Sequence, residues 1–261
     1  MVDESESSWR TLKTVETSMK IIEALEQMDG GGVTEVADYV GVSTSTTHSH
    51  LSTLHQAGYL IKEDKHYKLS YQFLRLGEFV RSTNPLYKFG RTKTDQLARE
   101  TGHYAHLYIE QQGFGVFIYS SIGELSGEHA YQQSKLQKRE PLHITASGKA
   151  ILANYETEHV KEIIHKHGLS PHTENTITNK EIFLNELEQV SEQGYATNDE
   201  EEVTGFRAVA APVIVDGKGV IGSLSVSGPT AYLSGDIFRE TIPKKLMEVA
   251  NLIQVDINMS N

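Results

Sequence analysis

The segment from residue 33 to residue 70 constrains the fold most, because it combines a short helix, a tight turn, a second helix and a two-stranded ribbon. Gly41 can adopt the positive φ that a sharp turn between helices requires. Ser43 or Thr44 follows as a suitable cap for the second helix. This order predicts a winged helix-turn-helix, a motif that binds DNA.

The second helix of this motif is the candidate recognition helix. Thr47, Leu51, Leu54 and Gly58 recur at the spacing of one helix face and are expected to pack inward. The opposite face carries small hydroxyl groups and an imidazole, which can bond to phosphates and base edges. From this helix we predict DNA contacts by Thr44, Ser45, Thr46, His48 and Ser49. An ordinary solvated helix is the alternative interpretation.

The ribbon that follows alternates in polarity and carries lysines. Its strands are predicted at residues 59–61 and 66–69, around Glu63 and Asp64. Lys62 and Lys65 are predicted to contact the DNA backbone, and Lys68 lies close to them in the sequence. A solvated hairpin without a DNA role stays open as an alternative.

The charge of the whole chain, −11 from 24 basic and 35 acidic residues, at first argues against a DNA partner. Between residues 41 and 76, however, four basic residues stand against two acidic ones, which gives +2. An acidic protein with a mildly basic DNA-binding surface would bind less to DNA of non-specific sequence.

Composition narrows the class of protein further. The length of 261 residues predicts two domains, and the absence of cysteine excludes disulfides and thiolate metal sites and fits a reducing cytoplasm. No apolar run approaches 18 residues, and the N-terminus is acidic and polar. We therefore expect a cytoplasmic protein without a membrane partner.

The region after the ribbon predicts a linker and a second domain. Residues 70–83 have helical spacing and stop at Asn84-Pro85, and residues 86–100 form a second helix. The apolar stripes of these two helices could join domains or pair with a second subunit. Alternatively, they could pack within one chain. The expected division is a DNA-binding domain at 10–70, a linker helix at 71–85 and an effector-binding, oligomerising domain at 86–261.

The second domain mixes strands with helices. Two strands from Tyr104 are joined at Gly113 to Gly115, and a hairpin turns at the sequence D-G-K-G of residues 216–219. Helices are predicted at 142–155, 156–167, 179–193 and 235–259. This order favours an α+β fold whose sheet is covered on one side, a cup suited to a small ligand.

Four ordered motifs carry a family resemblance: P-L-H-I-T-A-S-G-K-A-I-L-A at 141–153, G-Y-A-T-N-D-E-E at 194–201, G-F-R-A-V-A-A-P-V at 205–213 and S-V-S-G-P at 225–229. With the winged motif, the chain from about Lys13 to about Asn258 resembles the IclR family of transcriptional regulators. The resemblance implies a winged DNA-binding domain, a linker helix and a GAF-like effector domain. It further implies a homodimer or a dimer of dimers that controls genes of small-molecule catabolism.

The resemblance also implies an effector site. When the family's site is carried over position by position, the implied effector residues are Ala146, Asn198, Phe206, Ala208, Ser225 and Ser227. Three of these depart from the common family pattern, because Asn198 stands for aspartate, Phe206 for leucine and Ala208 for cysteine. Because a carboxylate and a thiol are lost, the effector site is expected to be more neutral and narrower than in relatives. In the recognition helix, Thr44 and Thr47 replace residues that are often lysine and valine.

Several motifs leave alternatives open. Ser147-Gly148-Lys149 could bind an anion at a helix start, or it could be a cap with a glycine for close packing. A small-molecule hydrolase with Ser147 as nucleophile and His143 as base is the rival class, although no G-x-S-x-G motif is present. The G-x-G-x-x-G of residues 217–222 lies between strands and predicts a hairpin, and the histidine pairs lack a third ligand. We predict a ligand-responsive transcription regulator with no catalytic residue, no metal and no cofactor.

Overall fold

The computed structural model describes residues 11–126 and 139–260, which fall into two compact units divided between Val80 and Arg81. Residue 10, where the first domain was predicted to begin, lies outside the described residues. Each unit is described by itself below.

Up to Leu69, the N-terminal unit contains three helices and a small three-stranded antiparallel sheet of order β1-β3-β2. Its elements are α1 (Lys13–Gln27), β1 (Gly31–Gly32), α2 (Val33–Val40), α3 (Thr44–Gln56), β2 (Leu60–Glu63) and β3 (His66–Leu69). Side chains from every helix and from the two longer strands meet in one core, formed by Ile21, Leu25, Val36, Leu51, Leu60 and Tyr67. The predicted helix-turn-helix and ribbon are confirmed.

Local sequence explains the geometry of this unit. Gly41 ends α2 in the left-handed region at φ 69°, and the hydroxyl of Ser43 accepts a hydrogen bond from the amide of Thr46 at 3.2 Å. Thr47 and Leu51 are fully buried, as predicted for the inner face of α3. Gly58 is not part of that face, because α3 ends at Gln56 and Gly58 is exposed at φ 82°.

Two helices follow the ribbon, α4 (Gln72–Ser82) and α5 (Pro85–Thr101). The helices predicted on both sides of Asn84-Pro85 are thus confirmed. Asn84 caps α5, since its side chain accepts a hydrogen bond from the amide of Leu86 at 2.9 Å, and Pro85 occupies the first helical position.

The C-terminal unit is built on a six-stranded antiparallel sheet of order β6-β5-β4-β9-β8-β7. Its strands are β4 (Tyr104–Gln111), β5 (Phe114–Ser121), β6 (Glu140–Pro141), β7 (Ala196–Asp199), β8 (Phe206–Val215) and β9 (Gly219–Pro229). Its later helices are α6 (Ala146–Leu152), α7 (Thr157–His167), α8 (Lys180–Gln193) and α9 (Ile242–Ser260).

The sheet is covered on both faces, so the prediction of a sheet covered on one side was wrong. Helices α5 and α9 pack on one face, against residues such as Leu107 and Val226. Helices α6, α7 and α8 cover the other face, where Tyr108 and Phe117 are buried. The reason is that the central strands carry buried side chains at both odd and even positions.

Three boundaries differ from the sequence expectations. The turn between β4 and β5 is Gln112–Gly113, with φ of 59° and 83°, instead of residues 113–115. Residues 142–155 do not form one helix: a 3₁₀ turn at Leu142–Ile144 precedes α6, because Thr145 adopts an extended conformation and accepts a hydrogen bond from the amide of Gly148. A π turn at Ile237–Thr241 precedes α9.

Two features of other protein classes are absent from the described residues. No helix among them has the length and apolar character that crossing a bilayer requires. No group of three or more histidine, cysteine, aspartate or glutamate side chains in residues 11–126 and 139–260 could hold a metal ion.

Candidate DNA-binding and effector sites

The outer face of α3 presents the five residues predicted from the sequence. Thr44, Ser45, Thr46, His48 and Ser49 are all exposed. Two of them also serve the helix: Thr46 bonds to the Ser43 hydroxyl at 2.9 Å, and the Ser49 hydroxyl donates to the carbonyl of Ser45 at 3.0 Å. The side chains of Thr44, Ser45 and His48 form no hydrogen bond to another described residue, so they can bond to a partner without first breaking one.

The wing, which we define as β2, β3 and their turn, presents the predicted lysines. Lys62 and Lys65 are exposed, and the ammonium of Lys62 lies 5.1 Å from the centre of the Tyr67 ring. Both lysines line a cleft of about 390 Å³ between the wing and the start of α2. Glu35, which the sequence analysis did not single out, lines the same cleft.

The predicted effector residues lie mostly on one face of the sheet, the face covered by α6. Antiparallel register places Asn198 opposite Ala208 and Ala208 opposite Ser227. Asn198, Phe206, Ala208 and Ser227 line one narrow cleft of about 10 Å³ with Glu202, Val203 and Arg207. Ala146 and Ser225 are buried at 1% and 2% exposure and do not line it. A larger groove of about 440 Å³ between α7 and α8 contains none of these six residues.

A buried histidine stands behind this cleft and was missed by the sequence analysis. His106 bridges three neighbouring strands, with Nδ1 2.8 Å from the Ser120 hydroxyl and Nε2 3.0 Å from the Ser227 hydroxyl. A neutral imidazole has one N–H, so one serine accepts from it and the other donates to it. The Ser227 hydroxyl can therefore serve either as a donor or as an acceptor toward a ligand in the cleft.

Asn198 is held firmly by the protein itself. Its Nδ2 donates to the carbonyl of Ile144 at 2.6 Å, and its Oδ1 accepts from the amide of Glu201 at 2.9 Å. An aspartate at this position could not donate to Ile144. Asn198 thus joins the turn before α6 to the loop after β7.

A buried lysine lies beside this junction. Lys149 is fully buried, and its Nζ lies 2.7 and 3.0 Å from the two carboxylate oxygens of Glu201 and 3.0 Å from Glu186. Burial raises the pKa of Glu201, and the ammonium of Lys149 acts in the opposite direction. Lys149 therefore neutralises two carboxylates on separate elements.

These contacts distinguish the two interpretations of Ser147-Gly148-Lys149. Thr145 caps α6, and a Cβ at Gly148 would lie 2.1 Å from the carbonyl oxygen of Leu142. Since the amides of Gly148 and Lys149 already donate to Thr145, the segment is a cap with a glycine for close packing, rather than an anion site.

The hydrolase alternative finds no support in this geometry. His143 is buried, and its Nε2 lies 3.0 Å from the carbonyl of Ser170. Burial lowers the pKa of His143, while the Ser170 carbonyl raises it. Within the described part of the chain no hydrogen bond joins His143 to Ser147, as a nucleophile and its base would require.

Replacing Asn198 by aspartate is expected to destabilise the C-terminal unit by about 2 to 3 kcal/mol, because the Ile144 carbonyl loses its donor and a second carboxylate enters beside Glu201. Urea unfolding followed by circular dichroism measures the loss. Asn179→Asp is the matched control, because Asn179 caps α8 by accepting from two amides, and aspartate caps equally well. Equal stability of both variants would contradict the prediction.

Comparisons with known proteins agree with this organisation. Residues 14–64 match the protein family described as "IclR helix-turn-helix domain". Residues 80–255 match the family described as "Bacterial transcriptional regulator IclR C-terminal". The probable HTH-type transcriptional regulator ArcR of Halobacterium salinarum is 31% identical over 94% of each chain. The HTH-type transcriptional regulator KdgR of Escherichia coli is 32% identical over 85% of this chain and 84% of its own.

Solved structures show the same architecture. The IclR protein of Thermotoga maritima superimposes with a TM-score of 0.75 at 28% identity, covering 94% of this chain and 97% of that one. An IclR homologue of Microbacterium hydrocarbonoxydans, complexed with 4-hydroxybenzoate, has a TM-score of 0.80 at 18% identity and covers 94% of this chain and 99% of its own. This chain belongs to the IclR family, and it is a DNA-binding transcription regulator with an effector-binding C-terminal domain, not an enzyme.

Proposed function

We propose that the outer face of α3 reads the bases of an operator while the wing lysines bind its phosphates. The observation that carries the proposal is the exposed polar face of α3, next to a wing whose lysines face a cleft. Base contacts are assigned to Thr44, Ser45, Thr46, His48 and Ser49, and phosphate contacts to Lys62 and Lys65.

The effector is proposed to bind against Ser227, in the cleft that Asn198, Phe206 and Ala208 also line. Ala146 and Ser225 would support this site from behind, and His106 would set the polarity of the Ser227 hydroxyl. The homologue with bound 4-hydroxybenzoate supports a small metabolite that carries oxygen atoms as the class of ligand. Because the cleft is only about 10 Å³, such a ligand must displace its rim, and this movement would couple binding to DNA affinity.

A homodimer or a dimer of dimers is proposed as the functional assembly. Helix α4 has no buried residue: its Leu74 is 65% exposed, and Tyr71, just before it, is 88% exposed, which suits a contact with a second subunit. In this proposal residues 10–70 bind DNA, 71–85 form the linker helix, and 86–261 bind the effector and oligomerise. Two recognition helices would then meet a palindromic operator.

The proposal is tested with the DNA upstream of the protein's own gene against a scrambled duplex. Fluorescence anisotropy at several salt concentrations is expected to show tight, salt-sensitive preference for the native duplex. No preference at any salt, followed by an empty genome-wide footprint, would contradict operator binding.

Ser227→Ala is expected to weaken effector binding at least about ten-fold, since a hydrogen bond to a ligand in a buried site is lost. Small carboxylates and hydroxy acids are screened with the wild type by thermal shift, and affinities for the hits are measured by calorimetry. Ser223→Ala is the matched control, because Ser223 lies on the same strand but donates to the Ser147 carbonyl and does not line the cleft. Equal losses in both variants would remove the site from this cleft.

A further inference from the structure

We infer that Glu35 restrains the binding of the DNA backbone at the cleft between the wing and α2. This inference rests on the proposed phosphate contacts of Lys62 and Lys65. It assigns to Glu35 the role of lowering affinity for DNA of any sequence.

The cleft is a fixed structure because β1 joins its two walls. Gly31 pairs with Tyr67 and Gly32 pairs with His66, so the residues that start α2 are hydrogen-bonded to the wing. Residues 32–35, at the start of α2, form one wall, and Lys62 with residues 65–67 of the wing forms the other. A phosphate held by the wing lysines would therefore lie close to the start of α2.

Glu35 is the one carboxylate among the described residues that line the cleft. Its Oε2 accepts a hydrogen bond from the amide of Gly32 at 2.7 Å and lies 3.6 Å from Nε2 of His66. This geometry holds the negative charge at the start of α2, where the helix dipole would otherwise favour a phosphate. Glu35 occupies that position as an internal competitor.

The effect is expected to be moderate, because the Glu35 side chain is 59% exposed and water screens its charge. At about 0.1 M salt, charges within roughly 10 Å still interact. A weaker backbone contact reduces binding to the large excess of non-specific sites in a genome. Glu35 thus works against the lysines of the same cleft.

The test uses a random-sequence duplex and wild-type protein, Glu35→Gln and Glu248→Gln, with anisotropy between about 50 and 200 mM salt. Glutamine keeps an oxygen that accepts from Gly32, so the start of α2 is preserved. Glu248 is exposed on α9, in the other unit, and its replacement changes the net charge equally. Glu35→Gln is expected to bind the duplex roughly three- to eight-fold more tightly. The slope of log affinity against log salt concentration should also be steeper by about one, the change expected when one more phosphate is neutralised.

Each outcome decides the inference. Unchanged affinity of Glu35→Gln, or an equal gain in Glu248→Gln, would overturn it, since the position of the charge would then be irrelevant. A second variant, Glu35→Ala, also removes the carboxylate and, with the wild-type fold verified by circular dichroism, must show the same gain or the inference fails. Absence of binding by the wild type at the lowest salt would instead refute the proposed phosphate contacts.

Discussion

Replacing Lys149 by methionine is expected to destabilise the C-terminal unit by about 3 to 5 kcal/mol, because a buried ion pair that loses one partner leaves uncompensated charge. Methionine fills a similar volume, so the loss reports charge more than packing. Glu201 and Glu186 would both lose the ammonium that lies within 3.0 Å of them. Urea unfolding at neutral pH, followed by circular dichroism, measures the free energy.

The same variant should show a characteristic pH dependence. Burial already raises the pKa of Glu201 in the folded state, and removal of Lys149 raises it further. A carboxyl whose folded pKa exceeds its unfolded value favours folding below the unfolded pKa, near 4.3, and this contribution is lost as the pH rises through the folded pKa. The deficit of Lys149→Met should therefore be small at acidic pH and largest at alkaline pH.

Two controls make this result specific. Glu201→Gln keeps Lys149 paired with Glu186 and should cost less than Lys149→Met. Lys161→Met removes a lysine from an exposed pair with Glu158, where little change is expected. A deficit of Lys149→Met that did not vary with pH would count against an electrostatic cause.

The double variant Lys62→Gln with Lys65→Gln is expected to bind any DNA duplex roughly 50-fold more weakly at about 0.1 M salt. The slope of its log affinity against log salt concentration should be shallower by about two. Each lysine is proposed to neutralise one phosphate, and both line the cleft beside the wing. Anisotropy with specific and random duplexes measures both quantities. The ratio of specific to non-specific affinity should change little, because phosphate contacts carry no sequence information.

The matched control replaces Lys166 and Lys244, two exposed lysines of the C-terminal unit, by glutamine. It alters the net charge equally and should leave the affinity nearly unchanged. Circular dichroism must show that the wing variant is folded, since Lys62 also contacts the Tyr67 ring. Equal losses in the two double variants would mean that overall charge, not the wing, attracts DNA.

The N-terminal unit was largely predictable because its signals are local. Gly41 in the left-handed region, the Ser43 cap and the lysines of the wing can each be recognised from a few neighbouring residues. Strand β1 was missed, since two glycines show no alternation and their partners lie more than thirty residues away, at His66 and Tyr67. Pairing over such a distance depends on the fold, not on local preference.

The C-terminal unit was less predictable for the same physical reason. The alternation of Ser225 and Ser227 placed both on one face, and the structure agrees. His106 was missed because Ser227 is 121 positions away and strand register cannot be derived from the sequence. The role of the Lys149 side chain was missed, because its carboxylate partners are 37 and 52 positions away.

Strand β1 has a mechanical consequence for regulation. It hydrogen-bonds the start of α2 to the wing, and Val36, Leu51 and Tyr67 share one core. Moving α2 relative to the wing would break these bonds, and moving the recognition helix relative to the wing would open the core that Leu51 and Tyr67 share. In the proposed regulation, a bound metabolite would therefore act on the DNA-binding unit as a single block, changing occupancy of the operator and leaving the way each half-site is read unchanged.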